Sequence, residues 1–189
     1  MHDDIDHILL DEQDIRLGIE DVAGQIVAHY AADEPTVVAV LNGSVVFVAD
    51  LIRRLPIPLR LAFLWAESYR QGTSPGALSF GGVGTASEIQ GRRVLLVDDI
   101  IDSGRTLFAL RGELLRRGAR DVRTCVFLDK PARRAVALEA DYACFRIADE
   151  FVVGYGLDHA GRYRNLPFVG VLKAEVLARA PSAGSELAR

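Results

Sequence analysis

The chain has 189 residues, half of them hydrophobic and a quarter charged, enough for one domain with a sizeable core beneath a charged surface. A net charge of −4 argues against a nucleic-acid partner, because a phosphate backbone selects a basic face, and leaves small anionic ligands open. The opening MHDDIDH has no basic-then-apolar leader pattern, and Asp, Arg or Pro breaks every apolar run short of a membrane span, so no membrane segment is expected and the cytoplasm is the default location.

Apolar positions at Ile15, Ile19, Val22, Ile26 and Tyr30 keep a helical period and predict a helix over 11–31 with one buried face. Thr36–Leu41 is a short apolar run rich in β-branched residues, the mark of a strand covered on both faces. Ser44 reads as the N-cap of a helix through Arg54, stopped by Leu55-Pro56. Leu59, Leu61, Phe63 and Trp65 alternate, which predicts a strand with one buried face. The stretch 66–91 is rich in glycine and poor in periodicity; it reads as a loop with a short strand pair around Val83–Ile89.

Val94–Val97 predicts another buried strand, and Thr106–Arg117 a helix with Leu107, Leu110 and Leu114 inward and Gly118 at its C-cap. Val122–Leu128 is the next strand, followed by strand-like runs at Tyr142–Ile147, Phe151–Val153 and Phe168–Leu172. Cys125 and Cys144 lie in apolar contexts and are expected as buried free thiols in a reduced compartment. The tail from Pro181 has no anchor and is expected to fray. Strands alternating with helices specify an α/β domain with a mainly parallel central sheet flanked by helices. Ligands in such sheets sit beyond the carboxyl ends of the strands, here the loops after Leu41, Val97 and Leu128.

After Val97 the chain reads Asp98, Asp99, Ile100, Ile101, Asp102, Ser103, Gly104, Arg105, Thr106 and then enters a helix. A tight Ser-Gly-Thr turn at a helix N-terminus offers backbone N–H groups and the positive end of the helix dipole, an anion site. Three carboxylates beside it would repel a bare phosphate. The ligand must therefore bring what carboxylates bind: hydroxyl donors, a metal ion or an acidic proton. A phosphorylated ribose with magnesium supplies the first two, and an incoming nitrogen base the third. The plainer reading is a charge cluster serving the helix dipole.

VLLVDDIIDSGRT resembles the signature of the type I phosphoribosyltransferases, and the segments that follow resemble their hypoxanthine-guanine branch, over about Asp11 to Leu172. That resemblance implies that Asp98 and Asp99 hold the ribose hydroxyls directly or through magnesium, and that Asp102 takes the proton of the attacking purine nitrogen. Ser103, Gly104, Arg105 and Thr106 would wrap the 5-phosphate. Asn42 and Gly43 would form the pyrophosphate loop, which relatives often build with a cis peptide; the alternative is an ordinary βα turn. Ser68 and Tyr69 would open a flexible loop that closes over the site, or a plain linker. Lys130 would donate to the exocyclic oxygen of a 6-oxopurine, a group that an adenine amine cannot mimic.

In the run Asp149–Asp158, Phe151 would stack on the base, Val152 would read its edge, Leu157 would cover its other face and Asp158 would bind magnesium. Arg164 would pair with pyrophosphate, and no role falls to His159. Arg133-Arg134 reads as a short basic pair on a solvated face. By the same resemblance, residues 1–180 form one domain: a core over about 36–145 and a small hood lobe from the N-terminal segment and about 146–175. A homodimer or homotetramer is implied as well. The activity implied is purine salvage from phosphoribosyl pyrophosphate; the alternative is a nucleotide-binding regulator of the same fold without turnover.

Overall fold

The computed structural model describes residues 2–31, 33–68, 78–83 and 89–179. In chain order the strands are β1 (Ile5–Leu10), β2 (Thr36–Leu41), β3 (Arg60–Ser68), β4 (Leu78–Val83), β5 (Arg93–Ile101), β6 (Asp121–Asp129), β7 (Tyr142–Arg146), β8 (Val152–Val153) and β9 (Val169–Leu172). The helices are α1 (Glu12–Tyr30), α2 (Val45–Ile52), α3 (Arg105–Arg116) and α4 (Ala174–Ala178). Six strands form one sheet in the order β4-β3-β2-β5-β6-β7. All its pairings are parallel except that of β4, which runs antiparallel to β3 at the edge.

Both faces of this sheet are covered, which is why its central strands are unbroken apolar runs. Along β2 and β5, Val37, Ala39, Leu95 and Val97 face a layer that includes Ile19, Ile26 and Tyr30 of α1 and Phe47 and Leu51 of α2. The alternate residues Val38, Val40, Val94 and Leu96 meet Leu107, Leu110 and Leu114 of α3. Each fully buried side chain of this size stabilises the fold by about 1.5–3 kcal/mol. The start of α1 is fixed locally: the Asp11 carboxylate accepts from the N–H groups of Gln13 and Asp14, and the Asp14 carboxylate accepts from the N–H of Asp11.

Several expectations are corrected. Ser44 does not cap α2: its backbone is already helical and its buried hydroxyl donates to the Val40 carbonyl at 2.5 Å. The helix ends at Ile52, short of Arg54. Among the described side chains of β3 the deepest are Ala62 and Leu64, not the alternating set of larger residues, because both faces of the strand pack. β4 pairs with β3 as an antiparallel edge strand ending at Val83, and the strand pair expected around Val83–Ile89 falls mostly on 84–88, outside the described residues. β5 continues four residues past Val97 to Ile101, so Asp98 and Asp99 stand on the strand and not in a loop.

The chain ends meet in a second sheet, antiparallel, in the order β1-β9-β8. It has its own apolar cluster of Val153, Tyr163, Leu166, Phe168, Leu172 and Val176, with Ile5 packed against it. Cys125 and Cys144 are free thiols, and burial pushes the Cys144 thiol up to about 12. Among the described residues no helix is long and apolar enough to cross a membrane. The tail 181–189 lies outside the described residues.

One carboxylate on α3 gives a pH signature. The guanidinium groups of Arg116 and Arg117 bind Glu113 and hold its carboxyl at about 2, against an ordinary 4.5. A depressed carboxyl contributes stability that is fully present above pH 4.5 and is lost as pH falls toward 2. Because the arginine partners are exposed, the contribution is screened to about 0.5–1 kcal/mol. Glu113→Gln should therefore lower Tm at neutral pH, and its difference from the parent should shrink as pH falls below 4.5 in thermal melts. A difference that holds constant down to acid pH would count against the pairing.

Candidate active site

The carboxyl ends of β2 and β5 border a cavity of about 390 Å³. Asp98 and Asp99 line it from the end of β5. Burial, together with the neighbouring charge of Asp99, pushes the Asp98 carboxyl well above the usual carboxylate range. Burial also raises Asp99, although hydrogen bonding to Asp98, the N–H of Ile100 and the charge of Arg164 oppose it. Two adjacent buried carboxyls that resist ionisation form a site short of positive charge.

That shortage bears on magnesium. Hard oxygen donors at a cavity wall suit a hard divalent cation, so Asp98 and Asp99 fit the ion. Asp158 is differently placed, because both its oxygens are engaged. Oδ1 lies 2.6 Å from Arg164 Nη2, and Oδ2 accepts from the Gly161 N–H at 2.8 Å. Among the described residues no three Asp, Glu, His or Cys side chains converge as a metal cage. The donor set matches an ion held by one or two carboxylates plus ligand oxygens and water.

Past Ile101 the chain turns through Asp102, Ser103 and Gly104 into α3. Gly104 has φ +77°, a left-handed conformation that side chains resist. The first turn of α3 then presents backbone N–H groups that helix geometry leaves without intrahelical partners. Ser103, Gly104 and Thr106 line the cavity; Arg105 is exposed and does not. On the facing wall the Leu41–Asn42 peptide is cis. Asn42 is exposed and outside the lining, whereas Gly43 is buried within it.

A Cβ on Gly43 would fall 1.6 Å from Asp99 Oδ2, so glycine lets this turn approach β5 with the Asp99 carboxylate in its present position. Gly43→Ala should push the Asp99 carboxylate aside and misplace the wall by about an ångström, lowering kcat/KM by about 10²-fold. Steady-state kinetics with the anionic substrate varied would check this. Rates within threefold of the parent would show that the close approach is dispensable.

A second cavity, about 230 Å³, adjoins the first and shares Asp99, Ile100, Asp102 and Asp158 with it. Lys130 reaches it from the end of β6, only 6% exposed. Its Nζ donates to the Glu150 carbonyl at 2.6 Å and lies 3.6 Å from Asp149 Oδ1. Val152 and Leu157 are buried walls, while Phe151 is 43% exposed and meets the ring of His159 edge-on. Asp102 stands where the cavities join. Its Oδ1 is buried and has no hydrogen-bond partner in the protein, and its Oδ2 lies 3.9 Å from Arg133 Nη1. Arg164 lines the first cavity, held by the Gly156 carbonyl, which accepts from Nη1 at 2.5 Å.

The sequence thus brings together Gly43, Asp98, Asp99, Asp102, Ser103, Gly104, Thr106, Asp158 and Arg164 in one cavity, and Lys130, Phe151, Val152 and Leu157 in the next. Ser68 ends β3, and Tyr69 lies outside the described residues. Sequence reasoning placed Arg133 correctly as solvent-exposed but missed its contact with the site, and it misplaced Arg134. Arg133 lines the second cavity and binds Asp149 at 2.6 Å. The Arg134 side chain is 14% exposed and paired with Asp129. No local pattern gives this away, since the partners lie on other segments.

Residues 7–160 match the family profile of the phosphoribosyl transferase domain. A hypoxanthine-guanine phosphoribosyltransferase of Streptococcus pneumoniae is 40% identical over 176 residues, which cover 93% of this chain and 98% of that protein. The bifunctional protein TilS/HprT of Listeria innocua is 45% identical over 177 residues; the chain spans only 27% of its length. Among solved structures, a hypoxanthine phosphoribosyltransferase from Staphylococcus aureus superposes with a TM-score of 0.88 at 36% identity, covering 95% of this chain and 97% of that one. A hypoxanthine-guanine phosphoribosyltransferase from Bacillus anthracis, solved with HEPES in its active site, gives 0.83 at 39% identity, covering 89% and 99%.

Proposed function

The chain belongs to the phosphoribosyltransferase family, and on that premise we propose that it is a purine-salvage enzyme. It transfers the phosphoribosyl group of phosphoribosyl pyrophosphate to hypoxanthine or guanine, forming the nucleoside monophosphate and pyrophosphate. The observation that carries this reading is the position of Asp102. It joins an acidic cavity with an anion-binding turn to a pocket with a buried lysine, and it holds one buried oxygen without a partner.

The bond from the sugar carbon to the pyrophosphate oxygen breaks, the bond to the purine nitrogen forms, and the proton of that nitrogen passes to Asp102. The turn at Ser103–Thr106 binds the 5-phosphate through backbone and hydroxyl donors. Gly43 and Arg164 face the leaving pyrophosphate, where a guanidinium fork suits oxyanions. Lys130 donates to the 6-oxo group, Phe151 and Leu157 sandwich the base, and Val152 meets its edge through backbone groups. Magnesium, when bound, offsets the charge of the pyrophosphate. Asp98 and Asp99 would hold it or the ribose hydroxyls, and Asp158 would do so only by sharing its oxygen with Arg164. Positioning and fixed charge do most of the work in such a site. The carboxylates stabilise the positive charge that develops on the ribose.

Magnesium and phosphoribosyl pyrophosphate supplied with hypoxanthine, guanine, xanthine or adenine test the proposal directly. Pyrophosphate release with hypoxanthine or guanine is expected. No release with any base would leave only a nucleotide-binding regulator, and adenine as the best substrate would overturn the role of Lys130. The proposal extends to one domain over 1–180 with the β1-β9-β8 sheet as hood, to a homodimer or homotetramer, and to the cytoplasm. Family membership supports the assembly, and sedimentation would check it.

A further inference from the structure

We infer that Arg134 is a positioning residue that aims the backbone donors of the phosphate-binding turn, an inference that rests on the phosphoribosyl-transfer reading above. Its guanidinium is largely buried behind the turn and uses each of its nitrogens. Nε donates to the Asp102 carbonyl at 3.1 Å, Nη2 pairs with Asp129 Oδ1 at 2.5 Å, and Nη1 donates to the Leu138 carbonyl. The next residue adds a backbone bond, from the Ala135 N–H to the Ser103 carbonyl at 2.9 Å. Two successive carbonyls of the turn are therefore drawn toward the 134–138 segment.

Peptide planarity converts this into an effect on the ligand side. The carbonyl of one residue and the N–H of the next share a plane and point in opposite directions across a trans bond. Drawing the Asp102 and Ser103 carbonyls toward Arg134 and Ala135 turns the N–H groups of Ser103 and Gly104 the other way, toward the cavity that both residues line. Successive N–H groups aimed into a concavity make an anion nest. The fit behind the turn is close: a Cβ on Gly104 would lie 2.9 Å from Arg134 Cδ.

Asp129 anchors the strut. It is the last residue of β6 and directly precedes Lys130, whose N–H donates to the Ile101 carbonyl at 2.9 Å. The strut thus ties the phosphate turn to the strand end that carries the base-recognising lysine. A lysine at position 134 would keep a cation beside Asp129 but could not bond both carbonyls and the carboxylate, because an ammonium lacks the planar fork.

The test uses Arg134→Met and Arg134→Lys, with inosine and inosine 5′-monophosphate as paired probes. The ratio of their dissociation constants isolates what the phosphate adds. In both variants that ratio should fall by about tenfold or more, the charge-assisted phosphate contacts being weakened, while inosine binding stays within about twofold. KM for phosphoribosyl pyrophosphate should rise and KM for the base should hold. Arg134→Lys should retain more of the parent Tm without recovering the ratio, a split that a purely structural role does not give. An unchanged ratio in a folded variant, a ratio restored along with Tm by lysine, or failure of both variants to fold would overturn the inference. Parent protein without turnover, or without tighter binding of the monophosphate, would instead overturn the phosphoribosyl-transfer reading itself.

Discussion

Replacing Asp102 with Asn is expected to lower kcat by about 10²–10⁴-fold, the usual contribution of a general base, which corresponds to about 2.7–5.5 kcal/mol of transition-state stabilisation. The substitution preserves shape. The backbone carbonyl that accepts from Arg134 is untouched, so the turn into α3 keeps its position. Only the ability to accept a proton is lost, at an atom that has no partner in the resting protein. Binding of phosphoribosyl pyrophosphate and of nucleotide product should therefore change by only a few-fold. Steady-state kinetics combined with calorimetric titration of the product separates the two effects. A rate within about threefold of the parent would remove Asp102 as the base, and a parallel collapse of nucleotide affinity would mean that it serves the turn instead.

The strands that build this site were readable because their physics is local. β2, β5 and β6 are covered on both faces, so their central residues, such as Val37–Leu41, Val94–Val97 and Cys125–Leu128, are apolar and the runs announce themselves. The chemistry at the end of β5 was readable for the opposite reason: three carboxylates next to a Ser-Gly turn are costly without a ligand to satisfy them. What could not be read was the point at which the strand stops. Asp98 and Asp99 look like loop residues by composition, yet β6 pairs with β5 beyond them, Asp98 lying opposite Val126 and Ile101 opposite Asp129.

β1 was invisible for a related reason. Most of its side chains are exposed or half-buried, and its pairing partner β9 lies at the other end of the chain. Ser44 misled because a serine hydroxyl serves equally as an N-cap acceptor and as a donor to a carbonyl one turn back. Arg134 shows the limit most sharply. Its neighbours in sequence say surface, and only the three-dimensional arrangement of Asp102, Asp129 and Leu138 gives its guanidinium a buried position.

Lys130→Met should collapse the discrimination between 6-oxopurines and adenine. A pocket built around a hydrogen bond to one substituent rejects the wrong partner by about 10⁴–10⁵-fold. The sign of that rejection is set here by a side chain that can only donate. Methionine keeps much of the stem and removes the charge, so kcat/KM for hypoxanthine and guanine should fall by about 10²-fold, in line with a lost charge-assisted bond of up to about 3 kcal/mol. Adenine loses nothing it could use and no longer meets donor against donor, so its kcat/KM should hold or rise, and the ratio should shift by about 10²-fold or more. The fold should tolerate the change, because Asp149 is not left alone: the guanidinium of Arg133 is the main cause of its low carboxyl pKa and stays 2.6 Å away. Competition assays with the four bases read the ratio directly. An equal loss for every base, adenine included, would make Lys130 a support for the Glu150 carbonyl and not a reader of the purine.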